Sequence, residues 1–350
     1  NGWIIGDPDT NGIALDSALA EGDLSARKAF DAIRARFDYN PLILDIIYAK
    51  VAENNTTLND DTTLTGINAG YELSANTNIE GFFFSKIRGV TGTNGVIAVD
   101  TAATTSFDTV KQSADVVNTI GTRVVNKSIK NLALDAQVAY QFGTYNPKLD
   151  PNARFISATD KAETSPRSAW GAEVVATYDL KDVAAISKYE PTLTGVYVYL
   201  SGDSRDKTGN KAYTGWDGMF ENQSFGHIIN AIMGFSNTHL AGLSLKGKPA
   251  TDLTAKVDYI SGWFAKRYPE GRAAILSGVS TARQFTMGKN PYFGHELDVT
   301  LTYDYTEDVQ MSLLGGIFMP SKAINERSAN DPFRQRANAA ELIGSMKVTF

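Results

Sequence analysis

The chain ends with residues 338–350, which read NAAELIGSMKVTF. Every second residue toward the end is apolar or small, at Leu342, Gly344, Met346, Val348 and Phe350. The positions between them carry mostly polar side chains, among them Glu341 and Lys347. A period of two is typical of a β-strand whose two faces meet different surroundings. The stretch therefore predicts an amphipathic strand, which soluble β-sandwiches and membrane β-barrels both contain.

The same alternation recurs along the whole chain. It predicts roughly 13 strands and a short strand stub at residues 3–6. One face of nearly every strand is apolar and often ends in Tyr, Trp or Phe. The other face carries charged residues, at Arg34, Glu72, Arg123, Asp135, Glu173, Lys256, Asp298 and Glu341. Because a soluble sandwich shows the same period, periodicity alone does not separate the two fold types.

The lengths of the connections favour the membrane barrel. Short links alternate with long polar stretches, and the short ones lie around Asn40, Ala75, Ser128, Lys248 and Glu307. Only the link near Lys181 has an intermediate length. This alternation is typical of outer-membrane barrels. Strands of about 10 to 13 residues also match a tilted membrane span better than the usual 5 or 6 residues of a soluble strand. The terminal strand, which ends on an aromatic residue, resembles the last strand of such barrels.

The predicted fold is therefore all-β, a transmembrane up-and-down antiparallel β-barrel that forms a single domain over residues 1–350. About 14 strands are visible in the sequence, counting the stub. The predicted location is the bacterial outer membrane, where the apolar strand faces contact lipid. With the C-terminus on the periplasmic side, the long connections are extracellular and the short turns periplasmic.

Composition excludes several classes of function. The chain has 350 residues, a formal net charge of −6 and no cysteine. It therefore has no disulfide, thiol nucleophile or thiolate metal site, and its acidic balance argues against nucleic acid as a partner. The three histidines, at 227, 239 and 295, lack the spacing of a metal site. Because no nucleophile elbow or catalytic triad spacing is present, we expect that the protein is not an enzyme.

Five motifs, in order along the chain, resemble the alginate-export family of outer-membrane barrels. They are IIGDPD (4–9), FDAIR (30–34), WDGMF (216–220), GFSNTHL (234–240) and GHELDVT (294–300). The resemblance implies a monomeric barrel of approximately 18 strands whose lumen carries a polyanionic polysaccharide outward. Family members have several strands before the first motif, so the resemblance implies that this chain is N-terminally incomplete. An odd number of strands, which cannot close an antiparallel barrel, points the same way.

Charged residues on the polar faces are the candidate solute pathway through the lumen. They are Arg34, Arg36, Lys86, Arg88, Arg123, Lys127, Glu173, Lys256 and Asp298. A guanidinium group binds carboxylates through two parallel hydrogen bonds, and rings of Arg or Lys select anions. Alternatively, these cations pair with lumen carboxylates and hold the shape of the barrel. The sequence leaves both interpretations open.

One extracellular stretch resembles the start of a calcium loop. Residues 7–12 read DPDTNG, in which Asp7, Asp9 and Asn11 occupy ligand positions. The twelfth position, which should be a bidentate Glu, is Ala18. A turn-rich loop is therefore the favoured interpretation. We predict no cofactor and no metal, and these three residues stay candidate Ca²⁺ ligands.

The predicted function is an outer-membrane channel for the export or diffusion of an anionic polysaccharide or small anionic solutes. The alternatives are a general porin and a barrel that sheathes a periplasmic or secreted partner protein. Long loops that fold into the lumen favour a gated channel. A wide lumen filled by a partner favours the sheath.

Overall fold

The computed structural model of the chain describes residues 31–52, 61–89, 96–98, 109–111, 114–146, 164–203, 212–219, 226–229, 236–267, 273–274, 285–287, 290–325 and 337–349. The strands, numbered in chain order, are β1 (Asp31–Asp38), β2 (Leu42–Ala52), β3 (Thr62–Ser74), β4 (Thr77–Arg88), β5 (Val96–Ala98), β6 (Thr109–Lys111), β7 (Asp115–Ile129), β8 (Leu132–Tyr145), β9 (Ser165–Asp179), β10 (Thr192–Leu200), β11 (Thr238–Ala250), β12 (Leu253–Phe264), β13 (Ala273–Ala274), β14 (Phe285–Met287), β15 (Tyr292–Asp304), β16 (Val309–Pro320), β17 (Ile324–Asn325) and β18 (Ala339–Val348). A 3-10 helix, Ser187–Tyr189, lies between β9 and β10.

Thirteen of these strands form one sheet whose order follows the chain. The order is β1-β2-β3-β4-β7-β8-β9-β10-β11-β12-β15-β16-β18, and all of its pairings are antiparallel. The short strands form a β5–β6 hairpin and a β13-β14-β17 sheet within long connections. This arrangement confirms the predicted all-β, up-and-down antiparallel fold. The stub at residues 3–6 lies outside the described residues, and the single domain over 1–350 stays a prediction.

The outward face of the sheet is apolar, as the period of two predicts. On β18, Leu342 and Met346 are 75% and 64% exposed, and on β9 the side chains of Trp170 and Val174 are exposed in the same way. Phe350, the terminal aromatic residue, lies outside the described residues. A continuous apolar surface of this kind on a water-soluble sheet would need a second layer to cover it.

Short turns join the strands at one end of the sheet, here called the short-turn end, and long connections join them at the long-loop end. The turn between β7 and β8 lies at Lys130 and Asn131, two residues later than the link predicted at Ser128. A register shift between Asn126 and Ile129 admits the additional residues. Asn131 adopts a φ of 61°, which asparagine tolerates better than most residues. Among the described residues, no helix has the length and apolar character required to span a membrane.

The inward face is apolar and closely packed in its half nearer the long-loop end. The buried side chains of this region, here called the apolar belt, are Ala49, Leu64, Phe82, Phe84, Ala139, Ala169, Val198, Leu200, Leu240, Ile260, Phe293 and Phe318. The sequence predicted a charged inward face, so this half is a correction. Apolar residues are stable here because another part of the chain folds against them and removes water.

Candidate functional site

Two stretches of the connection between β10 and β11 lie inside the sheet's inward face. Residues 212–219 and 226–229, here called the lumen segment, contact inward-facing residues of β4, β7, β8 and β15. These strands include the fourth and the eleventh of the 13-stranded sheet. The lumen segment therefore connects distant parts of the 13-stranded sheet, here called the wall.

The first attachment is an aromatic and ionic clamp at the long-loop end. Tyr213 stacks on Tyr145 with ring centroids 3.6 Å apart. The guanidinium of Arg167 lies 5.3 Å from the Tyr145 ring centroid and 5.2 Å from that of Tyr213. A buried ion pair, with Arg167 Nη2 3.1 Å from Asp115 Oδ1, fixes the guanidinium. The backbone N–H of Tyr213 donates to the carbonyl of Pro166 at 2.7 Å. These contacts fix the entry of the lumen segment.

The second attachment is Asp217. Its carboxylate Oδ1 lies 2.5 Å from Lys86 Nζ on β4, and its backbone exchanges two hydrogen bonds with the side-chain amide of Gln141 on β8. Asp217 Oδ1 also accepts from the backbone N–H of Met219. Burial raises the pKa of Asp217, but Lys86, Arg167 and these hydrogen bonds outweigh it, so the net pKa lies below the ordinary value. Asp217 is therefore held as a carboxylate.

The third attachment is Glu296 on β15. Its Oε1 accepts from the backbone N–H groups of His227 and Ile228 at 2.6 and 2.8 Å, and its Oε2 accepts from Ile229 at 2.5 Å. The side chain of Glu296 is fully buried. Gly226 adopts a φ of +75°, and a Cβ at this position would lie 2.9 Å from Glu296 Oε1. Glycine is therefore required both by the backbone conformation and by the close approach of the carboxylate.

Apolar packing holds the same segment on the apolar belt. Trp216, Ile228 and Ile229 are at most 7% exposed and pack against belt residues. Burial of a large apolar side chain stabilises by about 1.5–3 kcal/mol relative to exposure. The segment is therefore docked by apolar contacts together with the Asp217 and Glu296 attachments.

Two predicted lumen arginines form ion pairs within the wall. Arg34 on β1 donates from Nε to Asp45 Oδ1 at 2.9 Å, and its Nη2 lies 2.8 Å from the same oxygen. Arg123 on β7 binds both oxygens of Asp135, at 2.9 and 2.6 Å, and its Nη1 lies 3.5 Å from Glu80. These contacts agree with the interpretation that the cations hold the shape of the barrel. Among the described residues, they leave some N–H donors of each guanidinium without a carboxylate partner.

Two of the predicted lysines, and Arg88, also have acidic neighbours. Lys86 pairs with Asp217 of the lumen segment, as described above. Lys256 on β12 lies 2.9 Å from Asp258 of its own strand. Arg88, at the end of β4, stands opposite Asp115 in the strand register. The structure thus distributes these cations over separate strands of the wall.

The remaining candidates lie at different heights of the lumen. Arg36 is exposed and stands opposite Asp45. Lys127 is exposed in the irregular pairing near the short-turn end. Glu173 lies on the inward face of β9, close enough to interact electrostatically with Arg123. Asp298 is buried on the inward face of β15. The calcium candidates lie outside the described residues, at Asp7, Asp9 and Asn11.

Sequence reasoning missed the docking residues of the lumen segment. Asp217 and Gln141 are 76 residues apart in the chain, and Asp217 and Lys86 are 131 apart. One local signal was present, because Phe82, Phe83 and Phe84 are consecutive and interrupt the alternation of β4. Three successive aromatics indicate a strand with apolar surroundings on both faces.

Comparisons with known proteins identify a family model and several solved structures to which this chain is similar. A family model described as alginate export matches residues 22–337. Among solved structures, OccK11 (OpdR) of Pseudomonas aeruginosa has a TM-score of 0.44 and 11% identity, covering 91% of this chain and 71% of that chain. OccK5 (OpdH) of the same organism has a TM-score of 0.41 and 8% identity, with coverages of 91% and 70%. The FrpB iron transporter of Neisseria meningitidis has a TM-score of 0.39 and 9% identity, with coverages of 83% and 42%. No functionally curated sequence matches the chain.

Proposed function

The chain belongs to the alginate export family, whose members are bacterial outer-membrane channels, and we propose that it passes acidic polysaccharides or other carboxylate-bearing solutes through a lumen gated by the lumen segment. In this proposal the protein transports its solute and carries out no chemical reaction on it. Lipid contacts the outward face, and the solute passes the inward face.

The observation that carries the proposal is the docking of the lumen segment across the inward face. It is attached through Lys86 and Gln141 on one part of the wall and through Glu296 on another. A segment docked in this way narrows the pathway, and a narrow lumen lets wall charges act on a passing solute with little screening. This feature favours a gated channel over a wide sheath around a partner protein.

The arginines of the wall support an anionic solute. A guanidinium has five N–H donors. Arg34 uses Nε and Nη2 on one oxygen of Asp45, and its side chain is 57% exposed. Arg123 uses Nε and Nη2 on Asp135 and keeps Nη1 at the longer distance from Glu80. Within the described part of the chain, each guanidinium therefore keeps donors that can bind a carboxylate of the solute.

The carboxylates next to the wall arginines determine how strongly such a solute binds as it moves through the lumen. Arg123 lies near three carboxylates, those of Glu80, Asp135 and Glu173. A solute carboxylate must exchange with these wall carboxylates at each arginine rather than bind a free cation. Exchange keeps binding weak, and weak successive sites allow conduction along a pathway. A polymer that carries many carboxylates can occupy several such sites together, which a single small anion cannot.

The proposal is tested by planar bilayer recordings of the full-length protein in a salt gradient. Replacement of Arg34, Arg36 and Arg123 by Gln should shift the reversal potential toward cation selectivity. Block by uronate oligomers should weaken by about tenfold or more, because a charge-assisted hydrogen bond contributes about 1.5–3 kcal/mol.

The matched control is Lys130→Gln, which removes one positive charge from an exposed turn where Lys130 pairs with Asp182. It should change neither quantity. If the native pore is cation-selective, or if uronate oligomers never change its current, the polyanion proposal fails and a general porin becomes the better account.

A further inference from the structure

Three carboxylates converge on the inward face, at the last three strands of the sheet. Glu296 and Asp298 lie on β15 and Glu341 lies on β18, and their nearest oxygens are all within 4.8 Å of one another. Gly316 of β16 stands between them, opposite Asp298 on one side and Glu341 on the other. The strand register therefore directs two carboxylates, one from each of the strands that flank β16, toward the same glycine.

The missing side chain of Gly316 creates the space in which these carboxylates meet. A Cβ at this position would lie 2.6 Å from Asp298 Oδ1 and 3.1 Å from Glu341 Oε1. A contact of 2.6 Å is too short for carbon and oxygen and one of 3.1 Å is tight, so any larger residue would displace the Asp298 oxygen and crowd that of Glu341. The carboxylate cluster consequently depends on glycine at this position.

The same two oxygens lack hydrogen-bond partners among the described residues. Asp298 is 1% exposed and its Oδ1 accepts no hydrogen bond there, and Glu341 Oε1 is likewise without a donor. A buried polar atom without a partner costs free energy, and native proteins rarely leave one so. Both oxygens point to the space above Gly316, which marks that space as the place of a missing positive partner.

No lysine or arginine of the described residues supplies this partner. Lys256, on the neighbouring strand, is paired with Asp258. The nearest basic nitrogen in the described part of the chain is His227 Nδ1, 3.9 Å from Glu341 Oε1. Three carboxylates with so little positive charge nearby repel one another unless protons or a cation neutralise them.

We propose that Glu296, Asp298 and Glu341 bind a calcium ion inside the lumen. Carboxylate oxygens are the ligands that hard divalent cations prefer. Two oxygens on opposite sides of a calcium ion are about 4.6–5.2 Å apart, because each Ca–O distance is about 2.3–2.6 Å. The corresponding separation for magnesium is about 4.0–4.2 Å, and its octahedron is less tolerant. The three carboxylates, whose oxygens lie within 4.8 Å of one another, suit calcium, because its longer Ca–O distances and flexible geometry tolerate ligands held on two fixed strands.

Calcium at this site would strengthen the docking of the lumen segment. Glu296 holds the backbone N–H groups of residues 227–229 with both carboxylate oxygens, and Oε2 accepts a single described hydrogen bond. A second lone pair on Oε2 remains to coordinate the ion. An ion that fixes the Glu296 carboxylate also fixes its three backbone donors. This site is separate from the solute proposal, and its test does not depend on which solute the channel passes.

The test is isothermal titration calorimetry of the full-length protein in detergent, stripped with EDTA and titrated with CaCl2. We expect a saturable calcium site with a stoichiometry of about one. Asp298→Asn and Glu341→Gln should each weaken calcium binding by about tenfold or more, since each removes a charged ligand. Gly316→Ala should weaken it similarly while all three carboxylates remain.

Two control variants separate the site from general charge and packing effects. Asp182→Asn removes a carboxylate from an exposed turn, and Gly315→Ala adds a methyl group whose nearest neighbour is Leu342 Cδ1 at 3.9 Å. Both should bind calcium as the native protein does. Because Glu341 is partly exposed, Glu341→Gln is the variant least expected to disturb folding.

Three results would overturn the proposal. One is the absence of saturable calcium binding, which a cluster neutralised by protons would give. Another is unchanged binding by Asp298→Asn, Glu341→Gln and Gly316→Ala, which would place the calcium elsewhere, as at Asp7, Asp9 and Asn11. The third is equal affinity for magnesium, which contradicts the assignment of the site to calcium.

Discussion

Two of the three attachments of the lumen segment, those at Asp217 and at residues 227–229, are built in opposite ways. At Asp217 the segment supplies a charged side chain, which contacts Lys86 of the wall, and a backbone that hydrogen-bonds with Gln141. At residues 227–229 the wall supplies the charge, through the Glu296 carboxylate, and the backbone N–H groups of the segment donate hydrogen bonds to it. The first attachment depends on side chains from both partners. The second depends on one wall residue and on the shape of the backbone.

This difference predicts how each attachment tolerates change. Substitution of His227 or Ile228 leaves the backbone donors in place, so the Glu296 attachment survives unless the backbone turn itself is lost. Gly226 is the exception, because its positive φ and its contact with Glu296 both require glycine. Substitution of either Asp217 or Lys86 removes one charge of an ion pair that lies in a poorly solvated place.

The largest effect is expected from Glu296→Ala, which removes the acceptor of three hydrogen bonds. Charge-assisted hydrogen bonds contribute about 1.5–3 kcal/mol each, though not additively, so the loss should exceed about 3 kcal/mol. In calcium-free buffer, hydrogen exchange of the amides of residues 227–229 should accelerate by more than about 100-fold. The control is Glu190→Gln in an exposed turn. Unchanged exchange at 227–229 would contradict the role of Glu296.

A smaller effect is expected from Asp217→Asn, which keeps the shape of the side chain and removes the carboxylate that pairs with Lys86. Breaking a buried ion pair costs about 3–5 kcal/mol, and because Lys86 and Asp217 are 15% and 22% exposed we expect about 2–3 kcal/mol. Amide exchange at residues 216–219 should accelerate by roughly 30- to 150-fold. If residues 227–229 stay protected, the two attachments are independent. Equal acceleration at both would show that the segment docks as one unit.

The double variant Lys86→Met with Asp217→Asn sharpens the same comparison. Replacement of both charges removes the penalty of an uncompensated cation, so the double variant should be more stable than the sum of the single variants predicts. We expect a coupling of about 1–3 kcal/mol, which is typical of residues in direct contact. The control pair Lys86→Met with Glu296→Gln shares no contact and should be additive within about 0.5 kcal/mol. A coupling near zero for the first pair would show that the ion pair contributes little.

Periodicity predicted the wall well and the attachments poorly, for a physical reason. The period of two reports which face a side chain occupies, so the inward position of Glu296 and the outward position of Leu342 follow from local sequence. The partners of Asp217 depend on which long connection folds inward, and Lys86 is 131 residues away. No local pattern encodes such a pair. Only the aromatic run at Phe82–Phe84 hinted that part of the inward face is covered.

The smallest effect expected is a difference in the pH at which the two attachments weaken. Burial lowers the pKa of His227, although the Glu296 carboxylate acts in the opposite direction. The undocked segment therefore binds a proton at His227 more readily than the docked one, so the stabilisation is complete above the ordinary pKa of about 6.5 and is lost as the pH falls below it.

Asp217 carries an acidic group where His227 carries a basic one, but its stabilising contribution is also lost as the pH falls. Its pKa is below the ordinary value, so its contribution is complete above about pH 4 and is lost only as the pH falls through its lowered pKa. Between pH 7 and pH 5, amide exchange corrected for its intrinsic pH dependence should therefore accelerate at residues 227–229 before it changes at 216–219. His227→Gln should abolish the early change, because glutamine does not titrate. The reverse order would show that the two attachments are governed by groups other than His227 and Asp217.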